Sequence, residues 1–159
     1  MILGIDPGLE NTGWGIIDLR SQISDYKLID CGVIVTNNKD KSVDRLGKIY
    51  NELEIIIKKY KVDEMAIETL FFAKNAKSAL KVAEAIGVIK VCGNNNGLQV
   101  AEYTPLQVKS ALVGYGRAEK EQVEVMVRDS LNLDELITPS HAADAVAVAL
   151  THGFTMKIN

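Results

Sequence analysis

Four residues stand out as candidates for chemistry before any element is assigned. Asp6 ends the opening apolar run "MILGID" and is followed at once by Pro7 and Gly8. Glu68 closes "EMAIE" (64–68), and "HAADA" (141–145) carries His141 and Asp144 three positions apart. Together they offer three carboxylates and an imidazole, an oxygen-rich donor set that suits Mg²⁺ or Mn²⁺ better than zinc. Two such ions about 3.5–4 Å apart, bridged by a shared carboxylate such as Asp6, support in-line attack of water on a phosphodiester. Each residue also has a plainer reading. Asp6 before Pro-Gly is a turn former, and Glu68 is a solvent-facing strand end. His141 and Asp144 are charge placement at a helix start, where an acid is favourable and a histidine cation is not. His152 reads as a packing or dipole-complementing residue near a helix end, not as a ligand.

The elements must bring these side chains together. Residues 1–6 read as a strand ended by Pro-Gly, "WGIIDL" (14–19) as a second with Gly13 available for the turn, and "KLIDCGVIVT" (27–36) as a third. Three strands so close in sequence predict an antiparallel meander. Val43, Leu46, Tyr50, Leu53 and Ile57 form one apolar stripe, so a helix is predicted over 42–60. "EMAIET" (64–69) is then a buried strand that crosses over to lie parallel to the first. Residues 75–93 predict a long helix that is apolar on more than one face, and "LQVAEYT" (98–104) a fifth strand. Thr104-Pro105 supplies a cap and an N1 proline for a helix ended by Gly114 and Gly116, and another helix follows over 119–131. Thr138-Pro139 repeats that helix-start chemistry for a last helix, 139–152, ending before Gly153. The sum is an α/β layer fold: a five-stranded mixed sheet, three antiparallel N-terminal strands and then parallel additions, flanked by helices. If the first and fourth strands are parallel neighbours, Asp6 and Glu68 leave the sheet at the same end, where open α/β sheets place their ligand sites.

Length and composition agree with this picture. A chain of 159 residues, 47% hydrophobic, suits one domain over 1–159 with a full core. No apolar run approaches a membrane span, and the N-terminus has no signal-peptide pattern, so a cytoplasmic protein is expected. The two cysteines, Cys31 and Cys92, match no zinc spacing and read as reduced packing residues. The net charge of −3 gives no global attraction to nucleic acid. It is unevenly spread, however: residues 73–120 hold seven basic and three acidic side chains, a net of +4 that leaves −7 for the remainder. A basic middle suits a polyanion, although solvated helix faces would give the same count.

The sequence resembles the RuvC family of Holliday junction resolvases, members of the ribonuclease H-like superfamily. The likeness is carried by "GIDPGLENTGWG" (4–15), "AIETLFFAKNAKSAL" (66–80), "EYTPLQVKSALVGYGRAEKEQV" (102–123) and "HAADAVAVALTH" (141–152). The resemblance implies a divalent-metal site of Asp6, Glu68, His141 and Asp144, with His141 a ligand or a group orienting the attacking water. It implies that Phe71 stacks near the junction centre and that Lys109 and Lys120 lie near the scissile phosphate. Lys74, Asn75, Lys77 and Ser78 fall in the matching DNA-contact segment. Ile86 departs from the pattern, standing where many members carry arginine. The implied activity is Mg²⁺-dependent cleavage of four-way DNA junctions by paired symmetric nicks during recombination and repair, leaving 5′-phosphate and 3′-hydroxyl ends. Mn²⁺ should substitute for Mg²⁺, with two ions per site. The implied partners are a second copy of the chain, joined through helix 75–93, and a branch-migration complex.

Two other readings compete. A junction-binding module without catalysis would keep Phe71, Lys109 and Lys120 but has no need of all four site residues. An actin-like ATPase or sugar kinase would share the phosphate-loop look of "DPGLENTGWG" (6–15), but it requires a second lobe for which 159 residues leave no room.

Overall fold

The computed structural model describes residues 1–19, 26–69 and 76–156. The order of elements is β1 (Ile2–Asp6), β2 (Asn11–Leu19), β3 (Tyr26–Val35), α1 (Ser42–Tyr60), β4 (Glu64–Glu68), α2 (Ala76–Asn95), β5 (Gln99–Tyr103), α3 (Pro105–Val113), α4 (Lys120–Ser130) and α5 (Ser140–Met156). The five strands form one sheet in the order β3-β2-β1-β4-β5. The meander is antiparallel, while β4 and β5 join in parallel, as the sequence predicts. Cys31 and Cys92 are free thiols.

Alternation along the central strands divides the core in two. Leu3, Ile5, Met65 and Ile67 face α1 and α2, where they meet Ile49, Leu53, Ala85 and Ile89. Ile2 and Ala66 face the other way, into a cluster built with α3, α4 and α5. Gly4 lies on this second face, since a Cβ there would sit 2.1 Å from the Ala145 carbonyl oxygen of α5. Two residues beyond Gly4 and Ala66 come Asp6 and Glu68. The register pairs Gly4 with Ala66, so both acids emerge on the α5 face at one end of the sheet.

α5 runs between the sheet and the α3–α4 pair. Every residue from Ala145 to Gly153 is buried. Its alanines and the strand glycines let helix and sheet backbones approach closely. A Cβ on Gly13 would lie 2.0 Å from the His141 carbonyl oxygen, and one on Gly15 would lie 2.3 Å from Val146 Cγ2.

Three sequence expectations need correction, and two of them concern glycine. Gly13 is not in the turn. β2 begins at Asn11, and Gly13 is an interior strand position kept bare for α5. Gly153 does not end the last helix, which continues to Met156; Gly153 packs where a Cβ would meet the Tyr26 ring at 2.7 Å. Thr138-Pro139 does not supply a cap and N1 proline. The helix starts at Ser140, and the Pro139 carbonyl accepts from the Ala142 amide at 2.9 Å, so the proline stands before the first turn.

Candidate metal centre

The site assembles where β1, β4 and the first turn of α5 meet. His141 Nδ1 lies 2.8 Å from Asp6 Oδ2. One donor atom from each of Asp6, His141 and Asp144 can be chosen so that all three lie within 4.8 Å of one another. His141 and Asp144 share a helix face by their i, i+3 spacing, and they are the two partly exposed residues between 141 and 153 of α5, where every other residue is buried. Glu68 lies outside this tight group but lines an adjoining depression of about 210 Å³ with Asp144, Lys109 and Lys120.

The electrostatics are those of acids crowded in a poorly hydrated place. Burial pushes the Asp6 carboxyl above its ordinary value; the hydrogen bond to His141 pulls the other way, and Asp144 adds to the rise. Burial pushes Glu68 up to about 7, with Asp6 and Asp144 reinforcing the effect and Lys120 and Lys109 opposing it. Lys120 Nζ lies 2.6 Å from Asp144 Oδ2. Its own partial burial opposes its charge, but Asp144 outweighs this and raises its pKa. A cluster of carboxylates that resists ionisation until positive charge is supplied, with an imidazole in the same group, fits a hard divalent cation.

The turn after Asp6 is held in place by side chains. The Thr12 hydroxyl donates to the Gly8 carbonyl at 2.6 Å, and the Thr36 hydroxyl donates to the Leu9 carbonyl at 2.5 Å. Arg45 Nε in turn donates to Thr36 Oγ1 at 2.8 Å. Sequence reading overlooked this brace, because Thr36 and Arg45 reach the turn only through the pairing of β2 with β3.

At the far end of α5, His152 bridges two strands. Its Nδ1 meets the Tyr103 hydroxyl at 2.8 Å and its Nε2 meets Glu64 Oε2 at 2.8 Å. This is a packing histidine with satisfied nitrogens, as the sequence suggests. Of the expected DNA contacts, Lys109 and Lys120 line the depression beside the acids. Phe71, Lys74 and Asn75 lie outside the described residues, as do the side chains of Lys77 and Ser78.

The chain matches the family described as "Crossover junction endodeoxyribonuclease RuvC" over residues 2–152. It belongs to the RuvC family. The Crossover junction endodeoxyribonuclease RuvC of Halothermothrix orenii is 48% identical over 159 residues, covering 100% of this chain and 95% of that protein. The structure of Thermus thermophilus RuvC superposes with a TM-score of 0.93 at 35% identity, covering 99% of this chain and 95% of the other. The same protein in complex with Holliday junction substrate also gives a TM-score of 0.93, at 36% identity, covering 99% of this chain and 94% of the other. The mixed sheet with its flanking helices is the ribonuclease H-like fold of that family.

Proposed function

We propose that the protein is a Holliday junction resolvase, an endonuclease that cuts four-way DNA junctions by metal-dependent hydrolysis in recombination and repair. The observation that carries this is the gathering of Asp6, His141 and Asp144 donor atoms within 4.8 Å of one another in a chain of the RuvC family. Asp6, Glu68, Asp144 and His141 would hold Mg²⁺, with Mn²⁺ able to replace it and two ions per site. Bound there, such ions lower the pKa of water and stabilise the leaving oxygen of an in-line displacement.

The chain's own groups do the remaining work. Asp6 keeps one oxygen on His141, which fixes the imidazole and leaves its Nε2 free of described protein partners, available to bind or to orient a water. Lys109 and Lys120 form a basic wall beside Glu68 and Asp144 and neutralise the backbone of the strand being cut. Water attack in line yields a 5′-phosphate and a 3′-hydroxyl.

A four-way junction has two-fold symmetry, so a C₂ dimer presents two such sites to equivalent phosphates. α2 supplies the dimer face in this reading: Leu80 is 68% exposed and Val91 54%, with exposed Ala83 and Gly87 between them. A branch-migration complex would deliver the junction in the cytoplasm.

The test is to incubate the protein with a mobile four-way junction and Mg²⁺, then map the nicks. Paired nicks at symmetric positions are expected, with none in chelator. Binding without nicks would leave a junction-binding module instead.

A further inference from the structure

On the other side of the α5 first turn lies a second groove, of about 500 Å³, between the β1–β2 turn, the start of α1 and α2. We propose that this groove binds a non-scissile phosphodiester of the junction strand that is being cut. The inference rests on the resolvase reading for its ligand, but on separate residues for its chemistry.

Arg45 is the decisive feature. It lines the groove yet is only 8% exposed. Its one hydrogen bond to the described residues runs from Nε to Thr36, and it forms no ion pair with any of them. A buried cation without a counter-charge is costly to maintain. Bracing Thr36 requires a single donor, not a charge; the rest of the guanidinium is a two-pronged donor of the kind that recognises phosphate.

Lys81 stands exposed on the rim from α2, also without an ion pair among the described residues, and Asn11 and Asn38 add neutral amides. Glu10, exposed on the same rim, is the one acid in the wall. Two cations against one carboxylate leave a net charge of +1, which matches the single negative charge of a phosphodiester.

The position supports the assignment. His141 forms part of the groove wall and is bonded to Asp6, while Asp144, one helical turn on, forms part of the Lys109–Lys120 depression. The acids therefore lie between two basic hollows. A strand held in both hollows would be drawn across the metal centre, with one phosphate fixed on each side of the bond to be broken.

The test measures junction affinity against salt for the Asp6→Asn protein, expected to bind without cutting, with and without Lys81→Gln. Junctions bearing a single uncharged methylphosphonate at each phosphate flanking the cut are compared in parallel. At one flanking position the methylphosphonate should weaken binding about tenfold. Lys81→Gln should weaken binding of the unmodified junction and lower the salt slope by about 0.9. With Lys81→Gln in place, the methylphosphonate at that position should cost less than it does in the Lys81 protein, since only Arg45 is left to lose its partner. Arg45→Lys, checked for an unchanged melting temperature, should show the same non-additivity; if it does not fold, the Lys81 arm alone decides. An unchanged slope, or losses that add at every position, overturns the proposal. Cleavage by the unsubstituted protein, run alongside, shows separately whether the resolvase reading itself stands.

Discussion

Glu68 is the side chain whose state tells most about the site. Its carboxyl titrates at about 7 instead of near 4.5, so around neutral pH the folded chain retains a proton that the unfolded chain releases. The sign follows from that difference. Stability should fall as pH rises from about 4.5 to about 7 and then level off, because ionisation favours the unfolded state across that window. The loss attributable to Glu68 should be roughly 3 kcal/mol. Melting curves in chelator from pH 4.5 to 8 should show the decline, and Glu68→Gln should flatten it; a decline equally steep in the variant would refute the assignment. Mg²⁺ should stabilise the unsubstituted protein more at pH 8 than at pH 6, since the ligand must be ionised to bind. Asp6→Asn should lower the rate of junction cleavage by at least about 10²-fold while junction affinity stays close to the unsubstituted value. A mutant cutting at full rate would remove Asp6 from the metal centre.

Among the elements, α5 sets the geometry, and glycine sets α5. Gly4, Gly13 and Gly15 let the helix rest on the sheet, and His141 reaches Asp6 because its own backbone carbonyl sits over bare Gly13. Gly13→Ala should therefore displace the first turn of α5. A destabilisation of about 1–3 kcal/mol is expected from overpacking alone, with a loss of cleavage larger than that of Gly47→Ala on α1, where an added Cβ meets nothing within 4 Å. Thermal melts and single-turnover rates on the two variants would distinguish them. Here also lies the limit of what the sequence discloses. The strands, the α1 helix and the shared exit of Asp6 and Glu68 are legible because period-2 and period-3.6 patterns and the parallel crossover are local or nearly so. Gly13 and Gly153 look like punctuation in one dimension, whereas each is a contact with an element more than a hundred residues away: the α5 start for one and Tyr26 of β3 for the other. The meeting of His141 and Asp144 with Asp6 follows from a family pattern and from this packing, not from spacing. The Arg45–Thr36 brace carries no local signal at all.

For the proposed dimer, the exposed stripe on α2 makes a separable prediction. Leu80→Asp should leave the folded monomer within about 0.5 kcal/mol of its stability, since a surface substitution there removes no internal packing. It should also shift sedimentation towards the monomer and replace paired nicks with single ones. An intact dimer with paired nicks would move the interface elsewhere.

The pocket draws on Asp6 of β1 and on Asp144 of α5, and α5 packs across β1, β2, β3 and β4 on one side of the sheet. During synthesis, a nascent copy that stops short of α5 therefore lacks His141 and Asp144, two of the four proposed ligands, and the helix that covers much of one half of its core. Such a fragment cannot nick the chromosome. Cutting of DNA becomes possible only once α5 has been made and docked, so a product aborted before that helix is a matter for proteolysis and not a source of genome damage.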